Sequence, residues 1–287
     1  MKRIVCFGEV LWDIIGEEKF LGGAPLNVAA NLACMECEAM MFSCVGNDEL
    51  GRAALARMDA AGVDSSLVTT AAGRPTGVAV VHPELDGDGR FDLPFPSAYD
   101  FIGFSENAEK SLEQKRPDGI VFGSLAPFRS GTTKKSLMRL LELCSGALKF
   151  YDVNLRKNYF DRALVSELAS ACTVLKLNAD EVGILSPMLF GQTLGAADFA
   201  ARAAENFGCR YVVVTKGGDG AEGFGPDGAH VEVRTPKADV VDTVGAGDAF
   251  SAGFFSALLR GETLKSALEM GNACGAVCVS HSGAFPV

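Results

Sequence analysis

An α/β architecture on a mainly parallel sheet is what the sequence predicts, and three observations predict it. Short apolar strand-like runs alternate with helical runs along most of the 287 residues. Glycines close several of these runs, where the chain has to turn. Two stretches, 13–21 and 76–104, break the alternation. Strands that alternate with helices form right-handed βαβ units, and such units cover a parallel sheet on both faces.

The first strand is Arg3 to Phe7, stopped by Gly8. A helix follows the Gly22-Gly23 turn, where "APLNVAANLACME" carries an early Pro25 and apolar residues at helical spacing. "AMMFSCVG" reads as a strand ending at Gly46. "DELGRAALARMDAAG" reads as a helix stopped by Gly62. The alternation continues with "GIVFGSL", a helix around Lys134–Cys144, "LKFYDVN", a helix near Leu164–Ala171 and "TVLKLN". After it come a helix near Ala196–Asn206, "YVVVTKG", and helices near Ala246–Arg260 and Leu264–Val279. The stretch 76–104 looks like a hairpin turning at Asp86-Gly87-Asp88-Gly89. With 13–21 it is expected to form a small sheet over the main one, beyond the carboxyl ends of the strands, where α/β sheets bind ligands. The expected division is a body of 1–12, 22–75 and 105–287 and a small β lid of 13–21 and 76–104.

Composition narrows the function. Hydrophobic residues at 48% and charged residues at 22% are globular usage, which excludes a disordered chain. A formal net charge of −10 argues against nucleic-acid binding and against adsorption to anionic membranes. Nine scattered cysteines, several within apolar runs, fit reduced thiols of a cytoplasmic protein. Cys34 and Cys37 have C-x-x-C spacing, but His82, His230 and His281 offer no partner at ligand spacing. The N-terminus meets Glu9 too early for a signal peptide, and no apolar run approaches the roughly 20 residues of a membrane span.

The sharpest motif is "DTVGAGDAF", Asp242 to Phe250, leading into an apolar helix. Gly245, Ala246 and Gly247 let backbone amides approach a ligand at a helix N-terminus, which suits a phosphoryl group. Asp248 would repel that phosphate unless it serves as a base toward an attacking hydroxyl. The spacing alone leaves open a plain first-turn aspartate. There is no G-x-x-x-x-G-K-[ST] and no G-x-G-x-x-G after the first strand, which excludes a P-loop enzyme and weakens a nicotinamide dehydrogenase. Upstream, Gly22-Gly23 brings backbone near a ligand, and Asn27 has a donor and an acceptor for paired sugar hydroxyls. Asp13 could accept from two more. By themselves these three are equally read as a turn, a helix cap and a surface acid.

Taken together, "GGAPLN", "VGNDELG", "DVNLR", "LNADE", "VTKGGDG" and "DTVGAGDAF" resemble the ribokinase-like, or PfkB, carbohydrate kinases over nearly the whole chain, with "GGAPLNVAANLA" most similar to the fructokinase branch. The resemblance implies a three-layer sandwich with a small β-sheet lid, ATP and Mg²⁺ as cofactors, and a homodimer through the lid. It implies that Asp248 is the base and that Gly245, Ala246 and Gly247 form the anion hole. Asp13, Gly22, Gly23 and Asn27 correspond to sugar-binding positions, and Arg156 to one facing substrate and γ-phosphate. Asn178 and Glu181 correspond to the Asn-x-x-Glu motif that positions magnesium through water and the ATP phosphates. Thr215, Gly217 and Asn272 correspond to nucleotide-binding positions. Asp242 and Thr243 match one side of a loop that holds a monovalent cation such as potassium in part of the family.

Two departures stand out. Glu36 occupies a place where the family usually has glycine. The run "DLPFPSAYDF", with Phe95 inside it and Phe91 directly before it, has phenylalanines where fructokinases have an arginine before "N-P-S-A". The expected activity is ATP-dependent phosphorylation of a primary hydroxyl on a small sugar, fructose to fructose 6-phosphate first. A 2-keto-3-deoxygluconate kinase, a ribose or nucleoside kinase, and a non-catalytic sugar-binding regulator are the alternatives.

Overall fold

The computed structural model describes residues 1–81, 91–156 and 159–284. The strands are β1 (Arg3–Phe7), β2 (Leu11–Ile15), β3 (Glu18–Gly22), β4 (Glu38–Gly46), β5 (Asp64–Ala71), β6 (Gly77–Val81) and β7 (Phe91–Asp92). They continue with β8 (Gly119–Phe122), β9 (Leu148–Asp152), β10 (Val174–Asn178), β11 (Tyr211–Thr215), β12 (Ala221–Phe224) and β13 (His230–Val233). The main sheet has nine strands in the order β13-β12-β11-β10-β9-β8-β1-β4-β5. All neighbours from β11 to β5 run parallel, and β12 and β13 add an antiparallel edge. A separate four-stranded sheet has the order β3-β2-β6-β7.

The helices are α1 (Ala24–Ala33), α2 (Glu49–Ala60), α3 (Glu106–Lys115), α4 (Leu125–Arg129), α5 (Gly131–Leu143), α6 (Arg162–Ala171), α7 (Ala179–Phe190), α8 (Ala196–Phe207), α9 (Ala246–Leu259) and α10 (Leu264–Cys278). They form two layers with a core on each side of the main sheet. Alternation along β9 shows the division, because successive strand residues face opposite ways. Tyr151 stacks on Phe122 at 5.3 Å in one core, and Phe150 meets Phe255 at 5.1 Å in the other. The three-layer sandwich expected from the sequence is therefore the observed fold.

Local chemistry explains the boundaries. Asp48 caps α2 by accepting from the Gly51 amide at 2.8 Å. Gly62 takes φ 72° just beyond that helix. The helix expected through Glu36 ends at Ala33, and Glu36 itself takes φ 58°. That left-handed backbone is why glycine is the usual residue there.

Several elements go beyond the sequence reading. Helix α7 follows β10 directly, a helix that the sequence reading did not predict. Its sequence is apolar nearly all round and holds an internal Pro187, which hides helical periodicity. Helix α3, strand β5 and the β12–β13 edge also lacked a clear signal. The small sheet begins at Leu11 and reaches Gly22, wider than 13–21. Strands β6 and β7 pair antiparallel, as a hairpin requires, but the expected turn at Asp86–Gly89 lies outside the described residues. Tyr99 and Ile102 are buried in the core of the main sheet. Among the described residues no helix is long and apolar enough to cross a membrane.

Candidate active site

Of the sequence-predicted groups, Asp13, Gly22, Asn27 and Asp248 come together at the carboxyl end of the main sheet. Helix α9 starts after Gly245, whose φ is 78° and whose position leaves no room for a side chain: a Cβ there would lie 2.4 Å from the Ala284 Cβ. Ala246 spends its amide on the Thr243 carbonyl at 3.3 Å. No side chain caps α9, so the amides of Gly247 and Asp248 are left for another acceptor at the positive end of the helix.

Asp248, half-buried in the first turn, is reached from across the site by α1. The Asn27 Nδ2 donates to its Oδ2 at 2.8 Å, joining residues 221 positions apart. Burial pushes the Asp248 carboxyl up to about 7; the Asn27 bond opposes the rise, Asp152 adds to it, and Lys176 and Arg156 oppose it. Asn27 is buried, and its Oδ1 has no partner among the described residues. An amide that spends its donor on Asp248 and leaves its acceptor bare suits a ligand hydroxyl.

Gly22 and Asp13 stand beside Asn27. A Cβ on Gly22 would lie 2.8 Å from Asp13 Oδ2 and 4.0 Å from Asn27 Oδ1. Gly23 takes φ 109°, and a Cβ there would lie 2.4 Å from the Glu9 carbonyl oxygen. Burial pushes Asp13 up to about 6 and raises Glu9, and Arg156 counters both. Arg156 is exposed, and among the described residues its one hydrogen bond is a 3.4 Å contact to the Leu155 carbonyl. A small cavity lies among Glu9, Pro25, Asp152, Asn154 and Asp248.

Asn178 and Glu181 form a capping box at the start of α7. Asn178 Oδ1 accepts from the Glu181 amide and Glu181 Oε2 from the Asn178 amide, each at 2.8 Å. Glu181 Oε1 accepts from the Leu155 amide at 2.7 Å. With both oxygens on backbone amides, Glu181 fits a metal held through water rather than a direct bond. Among the described residues no three His, Cys, Asp or Glu side chains converge to hold an ion alone, and magnesium commonly binds through phosphates and water. Asp242 accepts from the Val244 and Gly283 amides at 3.0 and 3.1 Å, so it ties two loops, and Thr243 beside it is exposed. Thr215 ends β11 and Gly217 turns with φ 57°. Asn272 is buried and donates to the Val233 carbonyl at 3.1 Å, away from the Asp248 group.

Two ion pairs at this end escaped the sequence reading. Lys176 is buried and pairs with both oxygens of Asp152 at 3.0 Å. Its signal was a lysine inside the apolar strand "TVLKLN". Arg129, at the end of α4, pairs with Asp100 with both side chains 1% exposed. It also donates to the carbonyls of Leu93 at 3.0 Å and Pro94 at 2.7 Å, and lies over the rings of Tyr99 and Phe95. The run "DLPFPSAYDF" is thus held by an arginine from another element. Phe95 is 68% exposed. The nine cysteines are all free, and Cys172 and Cys209 lie 3.8 Å apart as thiols.

The chain belongs to the pfkB family carbohydrate kinases, whose profile matches residues 1–286. It is 27% identical over 305 residues to an aminoimidazole riboside kinase of Salmonella typhimurium, covering 99% of this chain and 91% of that one. It is 28% identical over 311 residues to probable fructokinase-7 of Arabidopsis thaliana, covering 99% and 88%. Among solved structures, a fructokinase from Vibrio cholerae O395 with fructose, ADP and calcium superimposes with a TM-score of 0.83 at 25% identity, covering 99% and 95%.

Proposed function

We propose that the chain transfers the γ-phosphoryl group of ATP to a primary hydroxyl of a small uncharged sugar, fructose first, giving fructose 6-phosphate. The observation that carries this reading is Asp248 itself: a carboxylate with a pKa near 7, at uncapped helix amides, bonded to Asn27 on the sugar side. A base works best when its pKa lies near the working pH.

In this reading the sugar hydroxyl attacks the γ-phosphorus in line. Asp248 takes the hydroxyl proton, the bond from phosphorus to the β,γ-bridging oxygen breaks, and ADP leaves. The Gly245–Gly247 backbone, chiefly the Gly247 amide with that of Asp248, takes the charge on the transferring oxygens. Asp13, Gly22, Gly23 and Asn27 hold the sugar; the bare Asn27 Oδ1 accepts from one of its hydroxyls. Asn178, Glu181, Thr215, Gly217 and Asn272 line the nucleotide side. Magnesium held near Glu181 through water would offset phosphate charge. The small sheet and the Arg129-held segment serve as the lid that excludes water. Asp242 and Thr243 mark a potassium loop, tested by comparing rates in KCl and choline chloride. Ile15 and Phe20, exposed on the small sheet, support a homodimer through the lid, tested by light scattering.

The charge around the acceptor favours an uncharged sugar. Glu9, Asp13 and Asp248 face one exposed guanidinium, Arg156, while Lys176, which also acts on Asp248, is paired with Asp152. Arg129 already holds Asp100 and two carbonyls. A sugar acid or sugar phosphate would therefore meet more negative charge than positive. The test is ADP release with Mg-ATP against fructose, ribose, adenosine, 2-keto-3-deoxygluconate and fructose phosphates. Release with fructose supports the reading, release with the acid alone moves the substrate to that branch, and sugar binding without release makes the chain a regulator.

A further inference from the structure

The second cation near Asp248 has no part in the chemistry described so far. Lys176 enters from β10, in the interior of the main sheet, and is only 6% exposed. Its ammonium has three donors, and two go to Asp152 Oδ1 and Oδ2 at 3.0 Å each. Asp152 Oδ2 also accepts from Ser251 Oγ at 2.8 Å, and that hydroxyl lies 2.9 Å from the Gly247 carbonyl. A chain of contacts thus runs from β10 through β9 to the first turns of α9. A Cβ built on Gly247 would lie 3.5 Å from Lys176 Nζ. The ammonium is therefore next to the amide cradle, with one donor uncommitted among the described residues.

A buried ion pair is a weak device for stability, because desolvation offsets most of its attraction. The surroundings give it another use. Asp152, Glu181 and Asp248 all act on the Lys176 charge. A phosphoryl group arriving at α9 would meet those carboxylates as well as the helix end. Arg156 is exposed and, among the described residues, held by a single long bond, whereas Lys176 is buried and fixed on Asp152.

We propose that Lys176 is a positioning residue for phosphoryl transfer: a fixed ammonium beneath Gly247 that offsets γ-phosphate charge and, through Asp152 and Ser251, holds the start of α9 against the sheet. This rests on the phosphoryl-transfer reading of the site. Its effect falls on the terminal phosphate and on turnover, not on the sugar.

The test compares wild type with Lys176→Met, Lys176→Arg and the paired Lys176→Met/Asp152→Leu, with Asp152→Asn as the control that keeps the cation. Removing one pre-set donor to a developing anion costs about 10² to 10³ in kcat, so Lys176→Met is expected to lose about that much with its sugar KM unchanged. Lys176→Arg is expected to recover part of the rate. The ratio of ATP to ADP affinity, read by calorimetry without sugar, is expected to fall about tenfold in Lys176→Met, as for loss of a charged hydrogen bond. If Lys176→Met fails to fold, the apolar pair takes its place, since a buried ion pair can be replaced by packed apolar residues. A folded variant without Lys176 that keeps wild-type kcat and the wild-type ATP-to-ADP ratio overturns the proposal. If wild type turns over no sugar, the kinase reading fails by itself, and the affinity ratio still decides the role of Lys176.

Discussion

Replacing Asp248 by asparagine should cut turnover by about 10² to 10⁴ and yet make the fold more stable at alkaline pH. The carboxyl is held near pKa 7 against an ordinary value of 3.8, so the folded protein keeps a proton that the unfolded chain has released. A carboxyl raised in the folded state makes stability fall as pH rises, here from about pH 4 until the folded group ionises near pH 7. Three units at about 1.4 kcal/mol each set an upper bound of about 4 kcal/mol on the cost of the charged form. Asp248 keeps some contact with water, and screening roughly halves that to about 2 kcal/mol. Asparagine removes the charge and can still accept from Asn27. Thermal unfolding followed by circular dichroism should show Asp248→Asn melting about 5 °C above wild type at pH 8. The difference should shrink steadily toward pH 4. A variant that melts at or below wild type at pH 8 would refute the claim that the protein strains to keep this carboxylate where it is.

Two further predictions concern the acceptor side. Arg129→Met leaves Asp100 buried without its partner, and unfolding experiments should show a loss of about 3 to 5 kcal/mol, as for other broken buried pairs; a loss below about 1 kcal/mol would show that the Leu93–Asp100 segment is held by other contacts. Gly22→Ala sets a methyl group 2.8 Å from Asp13 Oδ2, so the sugar KM should rise while nucleotide affinity is unchanged; equal changes in both would place Gly22 outside the sugar site.

The legible part of this molecule is the part that local chemistry dictates. Strand β1, the Gly62 stop and the last two helices followed from apolar runs, glycines and helix periods. The motif at Asp248 was readable because helix-end amides and a carboxylate have few joint uses. Helix α7 was not readable, since apolar residues such as Ile184 also stand on its exposed face and Pro187 lies inside it, which blurs the periodicity that reports a helix. The oddity at Glu36 was visible as a departure, and its cause, a left-handed backbone, needed the structure. The site's long-range links were beyond reach: Asn27 to Asp248 spans 221 residues, and Arg129 to Asp100 joins two elements with no shared pattern. Lys176 was a lone charge in an apolar strand, and only its placement beside Gly247 gives it meaning.

The central claim is that Asp248 is the base, and the pH dependence of sugar-stimulated ADP release tests it most directly. In wild type kcat/KM should have an acid limb with its midpoint near 7, falling about tenfold for each unit below it. In Asp248→Asn the limb should vanish and the rate should fall by about 10² to 10⁴. A variant that keeps more than about a tenth of wild-type kcat, or that shows the same acid limb, would contradict the account, because general-base help is worth far more than that.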